Sequence, residues 1–409
     1  MLSVGIDAAL AEHQGEMRSD NGKVYWNSRF ENNKEGLAKL VKQIEEVKKD
    51  TGESVIGIYA EAMGTYFAPF QYRLTQMGYR VVLVNPIEVK NARTIKNLNK
   101  NKNDRIDATT LASLPWMDEK YRNQESHQRY PISELTRLYQ KVQRMETQQK
   151  NRLNSDITRV FPELIQFVKD LDSKTVLKLL DKYPTPVKML RVSEDKLLKL
   201  VKSTSRGGFG SEFVKKVREL SKDSIGVPDT EGVLEYRIKY FIKSIREIKE
   251  SLKKIEKEIT RRTEGIEEVQ MIDDMRGIQR IKAASLYGEV GSAEQFKTAR
   301  KLQGYGGITA KRNQSGSKEW IGRPTKIANH YLRSTVSVCA RSLAHHSEEF
   351  REIYYREKMK GKTDTQAYII IGNRLLYHVF TILKNKKPYR KRLPMSAKQP
   401  PSPSISYKG

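Results

Sequence analysis

Between residues 234 and 259 the apolar side chains Leu234, Ile238, Phe241, Ile245, Ile248, Leu252, Ile255 and Ile259 recur at alternating spacings of four and three. That is an a/d seam, with Lys, Arg and Glu between, and it commits this stretch to one long helix facing a partner helix. A weaker seam, Leu135, Leu138, Val142 and Met145, starts upstream and loses its apolar positions at Gln149 and Arg152. The two seams can pair within one chain, or either can pair between chains. Residues 126–264 thus read as a helical coiled-coil and oligomerisation region. Ser203–Ser211, with its glycines, is a flexible break within it.

The flanks read differently. Over residues 1–125 short β-branched runs alternate with helical spacings. Strands are expected at 2–6, 23–30, 55–59 and 80–84, and helices at 36–47 and 67–77. This is the pattern of a layered α/β domain. Residues 265–390 return to helix, with two short helices separated by Gly277. A glycine- and lysine-rich loop follows at 303–324, then helices at 328–345 and 365–383. Residues 391–409, basic and then rich in proline and serine, read as a disordered tail. The expected fold class is α/β plus all-α.

The chain has 409 residues, and 76 Lys and Arg against 49 Asp and Glu leave a net charge of +27. Such an excess favours a polyanion, because each neutralised phosphate releases counterions. Charge alone does not separate DNA from RNA, or either from an anionic membrane. The single cysteine, Cys339, excludes an internal disulfide and a multi-thiolate zinc site. No apolar run approaches the ~20 residues of a spanning helix, and no signal peptide is evident. A cytoplasmic, nucleoid-associated protein with no membrane partner is expected.

Four carboxylates stand out. Asp7 closes the first strand, Glu61 lies just beyond a second buried strand, and Asp104 and Asp107 lie three apart on one helix face. Phosphoryl chemistry with Mg²⁺ needs carboxylate oxygens converging on a small volume. Taken singly, each acid also fits a structural role: aspartate is common at strand ends, and Asn103 and Asp104 both suit a helix start.

The segments VGIDAA (4–9), EAMGTY (61–66), VVLVNP (81–86) and KNDRIDATTLA (102–112) occur in the order and spacing of one known group. The chain resembles the one-ten family of bacterial insertion-sequence transposases, the bridge-RNA-guided recombinases. The resemblance extends to LQGYGGITAKRNQSGSK (302–318), NHYLR (329–333) and GNRLLYHVFTILKNKKPY (372–389). It implies a RuvC-like N-terminal domain of RNase H fold, with Asp7, Glu61, Asp104 and Asp107 holding Mg²⁺, or Mn²⁺ in its place. It also implies a C-terminal transposase domain whose nucleophile falls on Ser315, with Ser317 as the near alternative. Three positions depart from the pattern: Leu10 replaces a lysine, Asn103 a threonine and Ala328 a glycine. On local sequence alone, with no His or Asp placed to take its proton, Ser315 reads as a loop hydroxyl rather than a nucleophile.

Basic residues surround both groups. Lys90, Arg93, Lys96, Lys100, Lys102 and Arg105 crowd the approach to Asp104 and read as a mobile backbone-binding segment. Lys311, Arg312, Lys318 and Arg323 flank Ser315, where cations would offset transition-state charge. Lys386–Arg392 is a further phosphate-contact candidate. Residues 269–290 resemble a helix-hairpin-helix, whose backbone amides would touch phosphates. The resemblance implies a guide RNA that supplies target specificity, donor and target DNA as substrates, and a homodimer or homotetramer. A phosphoserine link to DNA would form and be resolved. Two rival functions stay open: a junction-resolvase-like, metal-dependent nuclease using only the carboxylates, and a non-catalytic nucleic-acid-binding assembly protein.

Overall fold

The computed structural model describes residues 1–61, 66–84, 86–96, 103–118, 121, 131–168, 170–204, 209–315, 318–324 and 328–390. The expected tail at 391–409 lies outside the described residues. The backbone packs as two units. One holds Met1–Arg129, Val290–Arg333 and Gly372–Lys387; the other holds 130–289 and 334–371.

The first unit is built on a five-stranded mixed sheet, β1 (Leu2–Asp7), β2 (Glu12–Ser19), β3 (Val24–Glu31), β4 (Val55–Glu61) and β5 (Val81–Val84), in the order β3-β2-β1-β4-β5. β1 runs antiparallel to β2 and parallel to β4. Helix α1 (Lys34–Thr51) and α2 (Ala68–Gln76) cover one face. There Leu2, Val4, Ile6, Met17 and Ile58 pack on Leu40, Ile44 and Phe70, all fully or almost fully buried. α1 starts at Asn33, whose side chain accepts from the Gly36 amide, and ends at Gly52 in the left-handed region, φ 69°. Helices α3 (Pro86–Lys96) and α4 (Asp104–Met117) belong to the other face.

Strand β2 was not expected. Its sequence, EHQGEMRS, is polar throughout most of its length and carries no alternating apolar signal. It is nonetheless buried, because polar partners on β3 and α4 satisfy its side chains, as the site below shows. The segment read as a mobile basic stretch is also different: residues 86–96 form α3, with Val89 and Ala92 buried.

The second unit is helical: α5 (Pro131–Val160), α6 (Pro162–Phe167), α7 (Lys174–Lys182), α8 (Pro186–Arg191), α9 (Glu194–Lys202), α10 (Ser211–Lys222) and α11 (Val233–Thr263). After these come α12 (Glu267–Asp273) and α13 (Arg280–Val290). α5 and α11 run antiparallel along each other within the chain, tied by Arg237 to Asp156 at 2.9 Å and by Tyr139 to Glu256 at 2.8 Å. The seam on α11 is used as expected: Leu234, Ile238, Phe241 and Ile245 enter one apolar core with Ile157, Phe161, Leu180 and Val214. The seam expected on α5 is wrong in face. Leu138 and Met145 are exposed, while Ser133, Thr136 and Gln140 are buried. Gln140 donates to Ser285 and Thr335 at 3.1 and 3.0 Å, so hydrogen bonding replaces apolar contact there.

Helix α13 begins after a turn in which Gly277 takes φ 106°, as the reading of two short helices about that glycine anticipated. Cys339 is buried. No described helix is long and apolar enough to cross a membrane.

Candidate active site

Pleating sorts the sheet residues by face. Leu2, Val4 and Ile6 point to α1 and α2, so Ser3, Gly5 and Asp7 point to α4. On β4, Ile58 and Ala60 join the α1 core, so Tyr59 and Glu61 share the α4 side. The parallel register pairs Ile6 with Ala60. One step further, Asp7 and Glu61 end neighbouring strands on the same face.

Helix α4 is held against this face by backbone proximity. A Cβ at Gly5 would stand 2.2 Å from the Ala108 carbonyl oxygen and from the Ala112 amide nitrogen. Only glycine allows that approach. Ser3 Oγ donates to the Ala112 carbonyl at 2.5 Å, and Trp116 Nε1 donates to Ser3 Oγ at 3.1 Å. Ser3 thus meets the last turns of α4, and Gly5 the turns before them. The helix runs antiparallel to β1, with its N-terminus toward Asp7. That terminus carries Asp104 and Asp107. Asn103, not Asp104, caps it by accepting from the Ile106 amide at 2.8 Å.

All four predicted carboxylates therefore belong to one end of one sheet face. They are not a closed ligand set. Among the described residues no three carboxylate, imidazole or thiol groups stand together so as to hold a metal ion. Asp107, only 3% exposed, accepts a 2.6 Å ion pair from Arg93 Nη1 on α3. Arg93 was expected to grip a nucleic-acid backbone; it instead faces inward and neutralises one of the four acids. Asp104 is exposed.

A fifth carboxylate escaped the sequence reading. Glu16 on β2 is 3% exposed. It accepts from Arg18 Nε at 2.9 Å, Asn27 Nδ2 at 2.9 Å and Thr109 Oγ1 at 2.5 Å. Arg18 in turn donates to Ser113 Oγ at 2.7 Å. Thr109 and Ser113 are on α4, so Glu16 and Arg18 clamp the helix that carries Asp104 and Asp107. A buried ion so fully hydrogen-bonded serves position rather than net stability. Its only sequence signal was an acid and a base two apart, which many exposed strands show.

Ser315 is not in a loop. Residues Ala310–Ser315 form β6 and Lys318–Pro324 form β7, an antiparallel hairpin in which Ser315 is opposite Lys318. Lys311, Arg312 and Arg323 lie on the same two strands; the side chains of residues 310–327 lie outside the described set, as does Ser317. The hairpin follows α14 (Ala299–Tyr305) and precedes α15 (His330–His346). After α16 (Glu348–Met359) comes α17 (Asp364–Asn385), which supports the hairpin's base. Asn373 on α17 donates to the Ile308 carbonyl at 3.1 Å, and its own carbonyl accepts from Gln303 at 2.8 Å. Lys90 and Arg105 are exposed, while Lys100, Lys102 and the side chain of Lys96 lie outside the described residues.

Two family signatures match the chain and together span more than half of it. A transposase signature of the acidic-quartet IS110 type matches residues 4–162, and one described as "Transposase IS116/IS110/IS902 family" matches residues 269–355. The chain is 24% identical over 250 residues to the "Insertion element IS110 uncharacterized 43.6 kDa protein" of Streptomyces coelicolor, covering 61% of each chain. It is 25% identical over 202 residues to "Putative transposase y4uE" of Sinorhizobium fredii, covering 48% of this chain and 55% of that one. It is 23% identical over 144 residues to the "Transposase for insertion sequence element IS1111A" of Coxiella burnetii, covering 34% of this chain and 40% of that one. The matched region thus spans less than two thirds of each of these relatives.

Proposed function

The chain belongs to the IS110 family of transposases, and from that premise we propose that it cuts and rejoins DNA strands at sites chosen by a guide RNA. The observation that carries this reading is the shared position of the carboxylates: Asp7 and Glu61 end adjacent parallel strands, and α4 runs toward the same end with Asp104 and Asp107. The strand order and the single antiparallel-then-parallel switch at β1 support an RNase H-like, RuvC-like domain.

The donor set is all oxygen, which suits Mg²⁺ or Mn²⁺. Asp7, Glu61, Asp104 and Asp107 would hold the ion, with Arg93 releasing Asp107. Bound there, the metal would supply positive charge to the scissile phosphate. Ser315 Oγ bonds to phosphorus as the bridging strand oxygen leaves. The serine proton departs to solvent, and the leaving oxygen takes one up. A strand hydroxyl attacks the phosphoserine in the reverse step and frees Ser315. Lys311, Arg312, Lys318 and Arg323, carried on the hairpin's two strands, would supply cations to offset the added charge. The carboxylates and Ser315 come from sequence segments that flank the long helices, and a dimer or tetramer would combine them across subunits.

Replacing Ser315 by Ala tests the mechanism. With a DNA substrate and its guide RNA, the denaturation-resistant protein–DNA adduct is expected to vanish and strand cleavage to fall at least ~10³-fold, the scale of losing an activated nucleophile. Undiminished cleavage by the variant would instead favour water attack by a nuclease that uses the acids alone.

A further inference from the structure

Beside Asp104, between the edge strand β3 and the start of α4, lies an open pocket of about 460 Å³. Gln14, Asn27, Arg29, Asn103, Asp104 and Arg105 line it, with Ser28. None of these is apolar. We propose that this pocket seats one DNA strand, with Arg29 and Arg105 bracketing a backbone phosphate and the Gln14 and Asn27 amides facing the adjoining sugar or base. This rests on the reading of the neighbouring carboxylates as a DNA-processing site.

Three observations support it. The first is preorganisation. Buried Glu16 accepts from Asn27 Nδ2 at 2.9 Å; Asn27 Oδ1 accepts from Gln14 Nε2 at 2.7 Å; Gln14 Oε1 accepts from Arg29 Nε at 3.3 Å. This chain fixes each amide and leaves Nη2 of Arg29 for a ligand, Nη1 lying 3.6 Å from Glu12 at the surface. A guanidinium so held is matched to a phosphate's two oxygens.

The second is continuity. Gln14 is the register partner of Asp7 across β1 and β2, and Asp104 is part of the pocket wall. A strand lying here passes directly to the proposed reaction centre.

The third is availability of charge. Arg105 is exposed and has no carboxylate partner among the described residues. Arg29 has only a rim contact, 3.6 Å to Glu12, with both side chains about half exposed or more, and such pairs contribute little. By contrast, the larger groove of about 880 Å³ in the helical unit has its arginine and several lysines matched to acids, Arg246 with Asp181 and Lys249 with Asp172.

The single native cysteine is buried, so an engineered surface thiol is the one that reacts readily. Glu12 stands 3.6 Å from the pocket-lining Arg29; Glu46 is on α1, over the opposite face of the same sheet. Full-length Glu12→Cys and Glu46→Cys proteins would be mixed, in a Ca²⁺ buffer, with duplex DNA carrying a thiol-reactive tether on one backbone phosphorothioate. Crosslinking at least ~5-fold greater for Glu12→Cys is expected, falling again when Arg29→Gln and Arg105→Gln are added. In the cysteine-free-surface background those two changes should each weaken DNA binding several-fold and lower the salt slope by about one. Equal crosslinking at the two positions, or yield unchanged by the arginine substitutions, overturns the proposal; so does capture of a tethered RNA in preference to DNA. Crosslinking needs no strand cleavage. Its failure therefore leaves the roles of Ser315 and the carboxylates standing, and a cleavage-dead Asp7→Asn protein that still crosslinks leaves the pocket standing.

Discussion

The two faces of the N-terminal sheet are built on opposite terms. Toward α1 and α2 the contacts are apolar and many-sided: Leu2, Ile6, Phe30, Leu40 and Phe70 fill one core. Toward α4 the β1–β2 surface is Ser3, Gly5, Glu16 and Arg18, and there the helix is held by backbone contact and charged hydrogen bonds, while its Leu111 and Leu114 pack on Tyr59, Val82 and Val84 of β4 and β5. An apolar face tolerates repacking, because dispersion contacts can be remade in several ways. A face held by a missing Cβ and by directed hydrogen bonds has one geometry. The carboxylates are on the face that cannot slide.

The largest test of that contrast is Gly5→Ala. Its methyl would meet backbone on two residues of α4, so the helix itself must move. A loss of about 4 kcal/mol or more is expected by urea unfolding, the range in which overpacking becomes diagnostic. A loss below about 1 kcal/mol would mean α4 can slide, and the contrast between the faces would fail.

Next in size is Arg93→Gln, which strips Asp107 of its counterion. Breaking a buried pair from one side costs about 3 kcal/mol, so the melting temperature should fall in EDTA. Mg²⁺ or Mn²⁺ should restore more stability to this variant than to the parent, through binding to the released carboxylates. If neither ion restores anything, the quartet is not a metal site.

The smallest effect concerns the apolar face, where His13 is fully buried edge-on to Phe67 and Phe70. Burial pushes its pKa below the ordinary value of 6.5. The unfolded chain therefore takes up the proton first. The stability that neutral His13 supports is whole above about pH 6.5 and drains away as the pH falls through the lowered folded value. Comparison with His13→Leu should isolate this, the parent losing stability between pH 7 and 5 more steeply than the variant.

These faces also explain what could be read in sequence. Wherever burial is apolar, periodicity reported it: β1, β4, β5 and the seam of α11 were all anticipated. Where burial is polar, it did not. β2 was missed because Gln14, Glu16 and Arg18 look like a solvated stretch until their partners on β3 and α4 are known. The buried side of α5 was misassigned for the same reason, since Gln140 is satisfied by Ser285 and Thr335, far along the chain. The positions of Asp7, Glu61, Asp104 and Asp107 followed from strand ends and helix spacing. The Arg93–Asp107 pair did not, because a basic run gives no sign of which cation turns inward. The hairpin carrying Ser315 was read as a loop since its strands are mainly polar and bear no core-facing alternation.

The antiparallel pairing of α5 and α11 has one more consequence. Helices of 30 and 31 residues reach about 45 Å at 1.5 Å per residue, yet the chain leaves at Pro131 and comes back at Thr263 on the same end of the pair. Matched turns added to or removed from both helices would change the length of the pair while keeping its two open ends side by side.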